Sequence, residues 1–231
     1  MGAPVLTIDG PSGAGKGAVS ARVARELGWQ VLDSGAVYRS VALAALQQGL
    51  EPDDEAGLVA LCADLDLSFS PGADGINVAL AGRALGDALR DEAVGAMSSR
   101  VAALPAVRSA LLELQRRFRT EPGLVADGRD MGTVVFPDAQ IKVFLDASVE
   151  ERARRRYKQL KGNGENVTFD RLFRDMEARD RRDRERAISP TVPAADAVVL
   201  DSTRMSLDEV VAEVVGLARR SSSPGRPISA G

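Results

Sequence analysis

Val5-Leu-Thr-Ile8-Asp9-Gly10-Pro11-Ser12-Gly13-Ala14-Gly15-Lys16 is the stretch on which the fold turns. Val5–Ile8 is a short apolar run of the kind that forms a buried strand. Gly10 to Lys16 fits G-x-x-x-x-G-K. Beyond it a helix is expected from Gly15 to Gly28, with Val19, Val23 and Leu27 on one face. Glycines in such a loop let backbone N–H groups turn towards phosphate oxygens, the helix N-terminus adds positive potential, and Lys16 reaches the outer phosphates. The competing reading is a glycine-rich turn that binds nothing. Position 17 in this pattern is ordinarily Ser or Thr, whose hydroxyl holds Mg²⁺; here Gly17 and Ala18 follow the lysine. Magnesium would then lean on water, phosphate and distant carboxylates.

After that helix Gln30–Leu32 is a second strand ending at Asp33-Ser34-Gly35, and a further helix runs from Tyr38 to Gln48, stopped by Gly49. Strand–helix–strand–helix is the rhythm of a parallel α/β sheet. It breaks after Glu51. Leu65–Phe69 and Ile76–Leu80 alternate, and Arg83–Leu89 offers a third strand, together a small antiparallel meander. Helices are expected over Asp91–Ala103 and Ala106–Arg119. The parallel rhythm resumes with strands at Leu124–Ala126, Ile141–Leu145 and Ala197–Leu200. Ser148 with Glu151 and Ser206 with Glu209 have capping-box spacing. Leu207, Val210, Val214 and Leu217 form the buried stripe of a last helix.

Composition narrows the chemistry. The chain has 231 residues, 45% hydrophobic and 27% charged, as in ordinary soluble globular proteins. No apolar run approaches the roughly 18–20 residues that span a bilayer, and residues 1–9 lack a signal peptide's features. A cytoplasmic protein without membrane partners is expected. There is no histidine, which removes histidine triads and histidine metal sites. Cys62 is the only cysteine, placed in an apolar helical stretch where packing is the plainer role. Asn-Lys-x-Asp is absent, since the only asparagines are Asn77, Asn163 and Asn166, which argues against a GTPase.

The net charge of -3 conceals a basic block. Residues 152–186 hold thirteen basic and seven acidic side chains, a balance of +6 that leaves -9 for the rest. Such a block points to an anionic partner, although i,i+4 ion pairs on a solvated helix are the plain alternative. A kinase holds two polyanions face to face and offsets their repulsion with arginines. Arg39, Arg129 with Asp130, and the 152–186 block all follow strands, where open α/β sheets bind ligands. Gly162 and Gly164 look like hinges, so the block reads as a lid. A single-strand nucleic-acid binder would interleave more aromatics than Tyr157, Phe169 and Phe173.

At Ile8–Gly17, Asp33–Arg39, Val125–Pro137 and Arg179–Arg186 the chain resembles bacterial cytidylate kinases, and the likeness runs from about Val5 to Arg219. The resemblance implies an α/β fold: a P-loop kinase core with a parallel sheet flanked by helices, a small antiparallel insertion in the monophosphate-binding region (about 62–92) and an arginine-rich lid (about 152–186). Length suggests a single domain over 1–220, and the Ser/Pro/Gly-rich composition of 221–231 suggests a disordered tail. The resemblance implies transfer of phosphate from ATP, with Mg²⁺, to CMP or dCMP by a monomer, without nucleic-acid partners. Carried over by position, Gly10, Pro11, Ser12, Gly13, Ala14, Gly15, Lys16, Gly17 and Ala18 hold ATP, with Asp201, Ser202 and Thr203 near its base. Arg39, Arg129 and Arg186 bind the monophosphate's phosphate. Tyr38, Arg179 and Asp183 meet its sugar. Ser34, Ser99, Arg108 and Asp130 surround cytosine. Lys16, Arg129, Arg186 and the lid residues Arg152, Arg155 and Arg156 serve the transfer itself.

Where the family usually has Thr, this chain has Ala18, removing a hydroxyl contact to the donor. Cytosine offers an amine that a carboxylate accepts and acceptors that Arg108 and Ser99 match; uracil reverses both. No histidine base is needed, because the attacking phosphate oxygen is already anionic. Two other classes remain open: another small-molecule kinase on the same core, such as a shikimate-type kinase, and a non-enzymatic nucleotide- or RNA-binding module.

Overall fold

A computed structural model describes residues 2–221 apart from 64, 74 and 163. The expected tail therefore lies, beyond residue 221, outside the described residues. The chain divides into two compact units, Met1–Val5 with Ser20–Asp127, and Leu6–Val19 with Gly128–Gly231. A five-stranded sheet has the order β2-β6-β1-β7-β8, from β1 (Val5–Asp9), β2 (Gln30–Asp33), β6 (Leu124–Asp127), β7 (Ile141–Asp146) and β8 (Val198–Asp201). Among the described residues no helix is long and apolar enough to cross a membrane.

In the first unit β2 pairs with β6 in parallel, from Gln30 opposite Leu124 to Asp33 opposite Asp127. Helix α2 (Ser34–Gln48) begins earlier than periodicity suggests, because the Asp33 side chain accepts from the Ala36 N–H and caps it. Its buried face, Val37, Val41, Ala42 and Ala45, packs against α4 (Glu92–Val101). The meander is a separate antiparallel sheet, β3 (Leu67–Pro71), β4 (Ile76–Leu80) and β5 (Arg83–Ala84). Its third strand is shorter than expected. Leu85 already takes right-handed helical angles (φ −85°, ψ −25°), Gly86 follows at φ +48°, and Gly86–Arg90 turns into a 3-10 helix. Helix α5 (Pro105–Arg116) starts on proline and buries Val107, Leu111 and Leu114; α3 (Glu55–Ala63), which carries Cys62, packs on it.

In the second unit β7 pairs in parallel with β1, Ile8 opposite Val143, and with β8, Leu145 opposite Leu200. Helices α6 (Val149–Gly162) and α7 (Phe169–Glu185) pack together, and Tyr157, Phe169 and Phe173 form an aromatic cluster with centroids 6.4 and 6.2 Å apart. The Ser148 hydroxyl accepts from the Glu151 N–H, and Ser206 with Glu209 makes the reciprocal capping box that starts α8 (Leu207–Ser221). Gly164, at φ +80°, ends α6 as the Glu165 N–H closes back on Leu160 O. After β6 the chain makes a single π-helical turn, Met131–Val135.

Candidate active site

The phosphate loop of the second unit is shaped by close approach. A Cβ on Gly10 would lie 2.1 Å from the Leu145 carbonyl oxygen, at a φ of +147°. On Gly13 it would meet the Met176 methyl at 2.5 Å. Backbone closes the first position to any side chain, and at the second, where the flexible Met176 end could move aside, a φ of +80° favours glycine. Lys16 is buried and its ammonium donates to Pro11 O at 3.0 Å, so the loop wraps its own cation. Helix α1 (Lys16–Leu27) begins at that lysine.

Arginines and carboxylates gather after β6 and at the end of α7. Arg129 donates through Nε to Asp183 Oδ2 at 2.5 Å. Burial pushes the Asp183 carboxyl up, but Arg129, then Arg186 and Arg179, outweigh it and hold the group below its ordinary range. The expected residues Arg129, Arg179, Asp183 and Arg186 thus form one cluster. Arg186 also donates to Ser189 O, and the Thr191 N–H donates to Asp183 O, folding the segment after α7 onto the cluster. Asp130 is buried at the head of the π turn.

The three α6 arginines diverge. Arg152, expected to face the transferred phosphate, is 1% exposed. It donates to Ala147 O, to Ser12 O at 2.8 Å, and by both terminal nitrogens to Asp180. It grips the phosphate loop rather than offering an open fork. Arg155 bridges Glu151 and Ser202 O, linking α6 to the Asp201–Thr203 turn. There Thr203 donates to Asp201, which holds that carboxyl below its ordinary range, and Ser202 donates to Asp146 O. Arg156 is half-buried and bonds Gln159.

In the first unit, the Arg108 guanidinium lies over the Tyr38 ring, 5.5 Å from its centroid, and also donates to Ala102 O. Arg39 pairs with Asp33 at 3.4 Å. Ser34 donates to the buried Gln115 at 2.7 Å, and Ser99 donates back to Gly95 O in its own helix.

Four residues of these surroundings were not singled out from sequence: Asp9, Asp33, Gln115 and Asp180. Asp9 is 5% exposed, and its two oxygens accept from the Met131 and Gly132 N–H groups at 2.8 Å each. Burial, with a smaller push from Asp130, overcomes those bonds and Lys16, raising its carboxyl to about 7. Asp33 carried a readable signal, an acid at a strand-to-helix junction. Gln115, inside a helix, carried none.

The family model described as cytidylate kinase matches residues 6–220. A cytidylate kinase of Aeromonas hydrophila is 56% identical over 218 residues, 94% of this chain and 95% of its own. One of Proteus mirabilis is 53% identical over 217 residues, 94% and 96% of the two chains. Among solved structures, TT1252 from Thermus thermophilus is 21% identical and covers 96% of each chain with a TM-score of 0.42. A shikimate kinase of Bacteroides thetaiotaomicron is 13% identical and covers 94% and 98%, at 0.44. Those two likenesses are too distant to bear weight; the family match and the relatives above half identity are not, and by them this chain is an enzyme of the cytidylate kinase family.

Proposed function

We propose that the chain transfers the γ-phosphate of ATP to CMP or dCMP, giving CDP or dCDP and ADP. The observation that carries this reading is how Arg129 is held: Asp183 accepts from its Nε, and among the described residues neither terminal amino group makes a hydrogen bond. Arg129 and Arg186, joined by Arg39, take the acceptor phosphate. Tyr38, Arg179 and Asp183 meet the sugar, and Ser34, Ser99, Arg108 and Asp130 select the base. The Gly10–Ala18 loop holds the donor phosphates around Lys16, with Asp201–Thr203 at the donor base. Arg155 and Arg156 neutralise the transferring group, while Arg152 serves the step by holding Ser12 in place.

An acceptor phosphate oxygen attacks the γ-phosphorus, the bond to the ADP oxygen breaks, and no proton need be removed. The work is positioning and charge neutralisation. Magnesium arrives with ATP as part of the substrate and spreads the charge of its outer phosphates. Gly17 and Ala18 offer it no hydroxyl, so phosphate oxygens, water and distant carboxylates would hold it. We further propose that a single chain, with residues 152–186 as its lid, does this in the cytoplasm as a step of pyrimidine nucleotide metabolism.

A coupled ADP-release assay over CMP, dCMP, UMP, AMP and GMP tests the reading. CMP and dCMP should give the highest kcat/KM. A purine monophosphate in first place, or no turnover of any, would refute it.

A further inference from the structure

We infer that Asp9 is a positioning residue for the acceptor: its carboxylate caps the turn that follows Arg129 and Asp130 and fixes the backbone that presents them. The inference rests on the function proposed above.

The bonds run between places far apart in sequence. Asp9 ends β1, and its partners Met131 and Gly132 lie 122 and 123 positions later. Those two N–H groups belong to the first residues of the π turn. Such groups have no partner within their own turn. The later N–H groups are served locally, Val134 and Val135 by Asp130 O and Phe136 by Met131 O. Asp9 therefore supplies what the turn itself lacks. One carboxylate spanning two successive peptide groups fixes their orientation, and with it the path of Arg129 and Asp130 immediately before. The Gly128 N–H donates to Ile8 O, so the start of the same loop is tied to the residue next to Asp9.

Stability alone does not account for this arrangement. Burial holds the carboxyl near 7, so at pH 8 the ionised form is the less favourable one for the fold. The charges acting on it are Asp130, which opposes ionisation, and Lys16, which favours it. A neutral side chain of similar size would be easier to bury, but only the ionised carboxylate accepts at both oxygens. Asparagine turns an NH₂ towards one of the two N–H groups, and serine has a single oxygen.

Wild type, Asp9→Asn and Asp9→Ser are compared at pH 8 and pH 6, the serine variant carrying the test if the asparagine variant does not fold. At pH 8, kcat/KM for CMP should fall about tenfold while KM for ATP stays within about twofold. The melting temperature should be unchanged or raised. Amide exchange should quicken across 128–135 and not across 10–19. At pH 6, where wild-type Asp9 is itself largely protonated, the gap between wild type and variant should shrink towards about twofold. Titration of CMP is common to all three proteins and cancels in that ratio.

A change in kcat/KM for CMP below about twofold at pH 8 would overturn the inference. So would equal losses towards ATP and CMP with a lowered melting temperature, which would make Asp9 a structural residue only. Unchanged exchange across 128–135 would remove the anchor itself. If wild type fails to phosphorylate CMP while that exchange still depends on Asp9, the proposed function falls, and the acceptor part of this inference with it, while the anchor stands.

Discussion

At the end of β1, Asp9 is met by two peptide N–H groups; at the end of α7, Asp183 is met by the guanidinium of Arg129, with Arg186 and Arg179 close enough to act on it. Burial pushes both carboxyls up. Two amide dipoles do not offset it, and Asp9 reaches about 7; three arginines do, and Asp183 falls below its ordinary range. The two corners of one unit therefore do different work. Peptide groups around a carboxylate fix a backbone path without neutralising charge. Arginines around a carboxylate are themselves held together and aimed, so a cationic site stays assembled before any anion arrives. The first corner shapes the loop, and the second presents the charge.

The contrast breaks most sharply at Lys16, whose cation acts on Asp9 while the loop folds around it. Lys16→Met should lower kcat about 10²–10³-fold, since a preorganised positive group at the outer phosphates is lost. The melting temperature should stay close to that of wild type, because the methionine stem still fills the site. Turnover within about tenfold of wild type would show that the loop does not hold the donor phosphates.

The other corner is tested by Asp183→Asn. The amide oxygen can still accept from Arg129 Nε, but the charge that gathers Arg129, Arg179 and Arg186 is gone. We expect kcat/KM for CMP to fall about 10–10²-fold, with KM for ATP nearly unchanged. Equal losses for both substrates would mean that the cluster serves the whole unit rather than the acceptor.

Only part of this contrast was legible in the sequence. The phosphate loop and the two capping boxes were, because their chemistry is complete within a few residues: a glycine pattern, or a hydroxyl three places before a glutamate. The arginine cluster was legible as a basic block and, through the family resemblance, residue by residue. The role of Asp9 is not legible, because its partners are peptide groups 122 and 123 positions away, which no local pattern encodes. Arg152 misled for a related reason. Inside a basic run it reads as one more exposed or ligand-facing cation, whereas Asp180, 28 positions on, and Ser12 O hold it in the interior. By pattern Arg83–Leu89 is compatible with a strand throughout, but the backbone leaves the extended region at Leu85 and takes positive φ at Gly86, which no side-chain pattern encodes.

Asp130 sharpens the division between backbone-fixing and ligand-facing carboxylates, since it lies beside Asp9 in space and one residue beyond Arg129. Its proposed task is the cytosine amine, for which a carboxylate is an acceptor and against which uracil sets its own acceptor. Asp130→Ala should lower kcat/KM for CMP strongly and for UMP much less, so that their ratio falls about tenfold. An unchanged ratio, with both substrates losing the same factor, would place Asp130 with Asp9 as a shaping residue.

Stability separates Asp9 from Asp183 by pH alone. The ordinary carboxyl value for both is 3.8, and Asp9 is raised in the fold to about 7. Between those values the folded chain keeps a proton that the unfolded chain has released. The Asp9 contribution thus favours the fold at low pH and is lost as pH rises through about 7. Asp183 has the opposite sign. Its carboxyl is lowered in the fold, so its contribution is present above 3.8 and is lost as pH falls below it. Urea unfolding from pH 3 to pH 8 should show that Asp9→Asn flattens the wild-type curve between about pH 4 and 8, by on the order of 4 kcal/mol. Asp183→Asn should leave that range alone and flatten the acid limb. If Asp9→Asn instead steepens the loss of stability towards pH 8, the buried carboxylate is ionised at little expense to the fold, and the two corners are electrostatically alike.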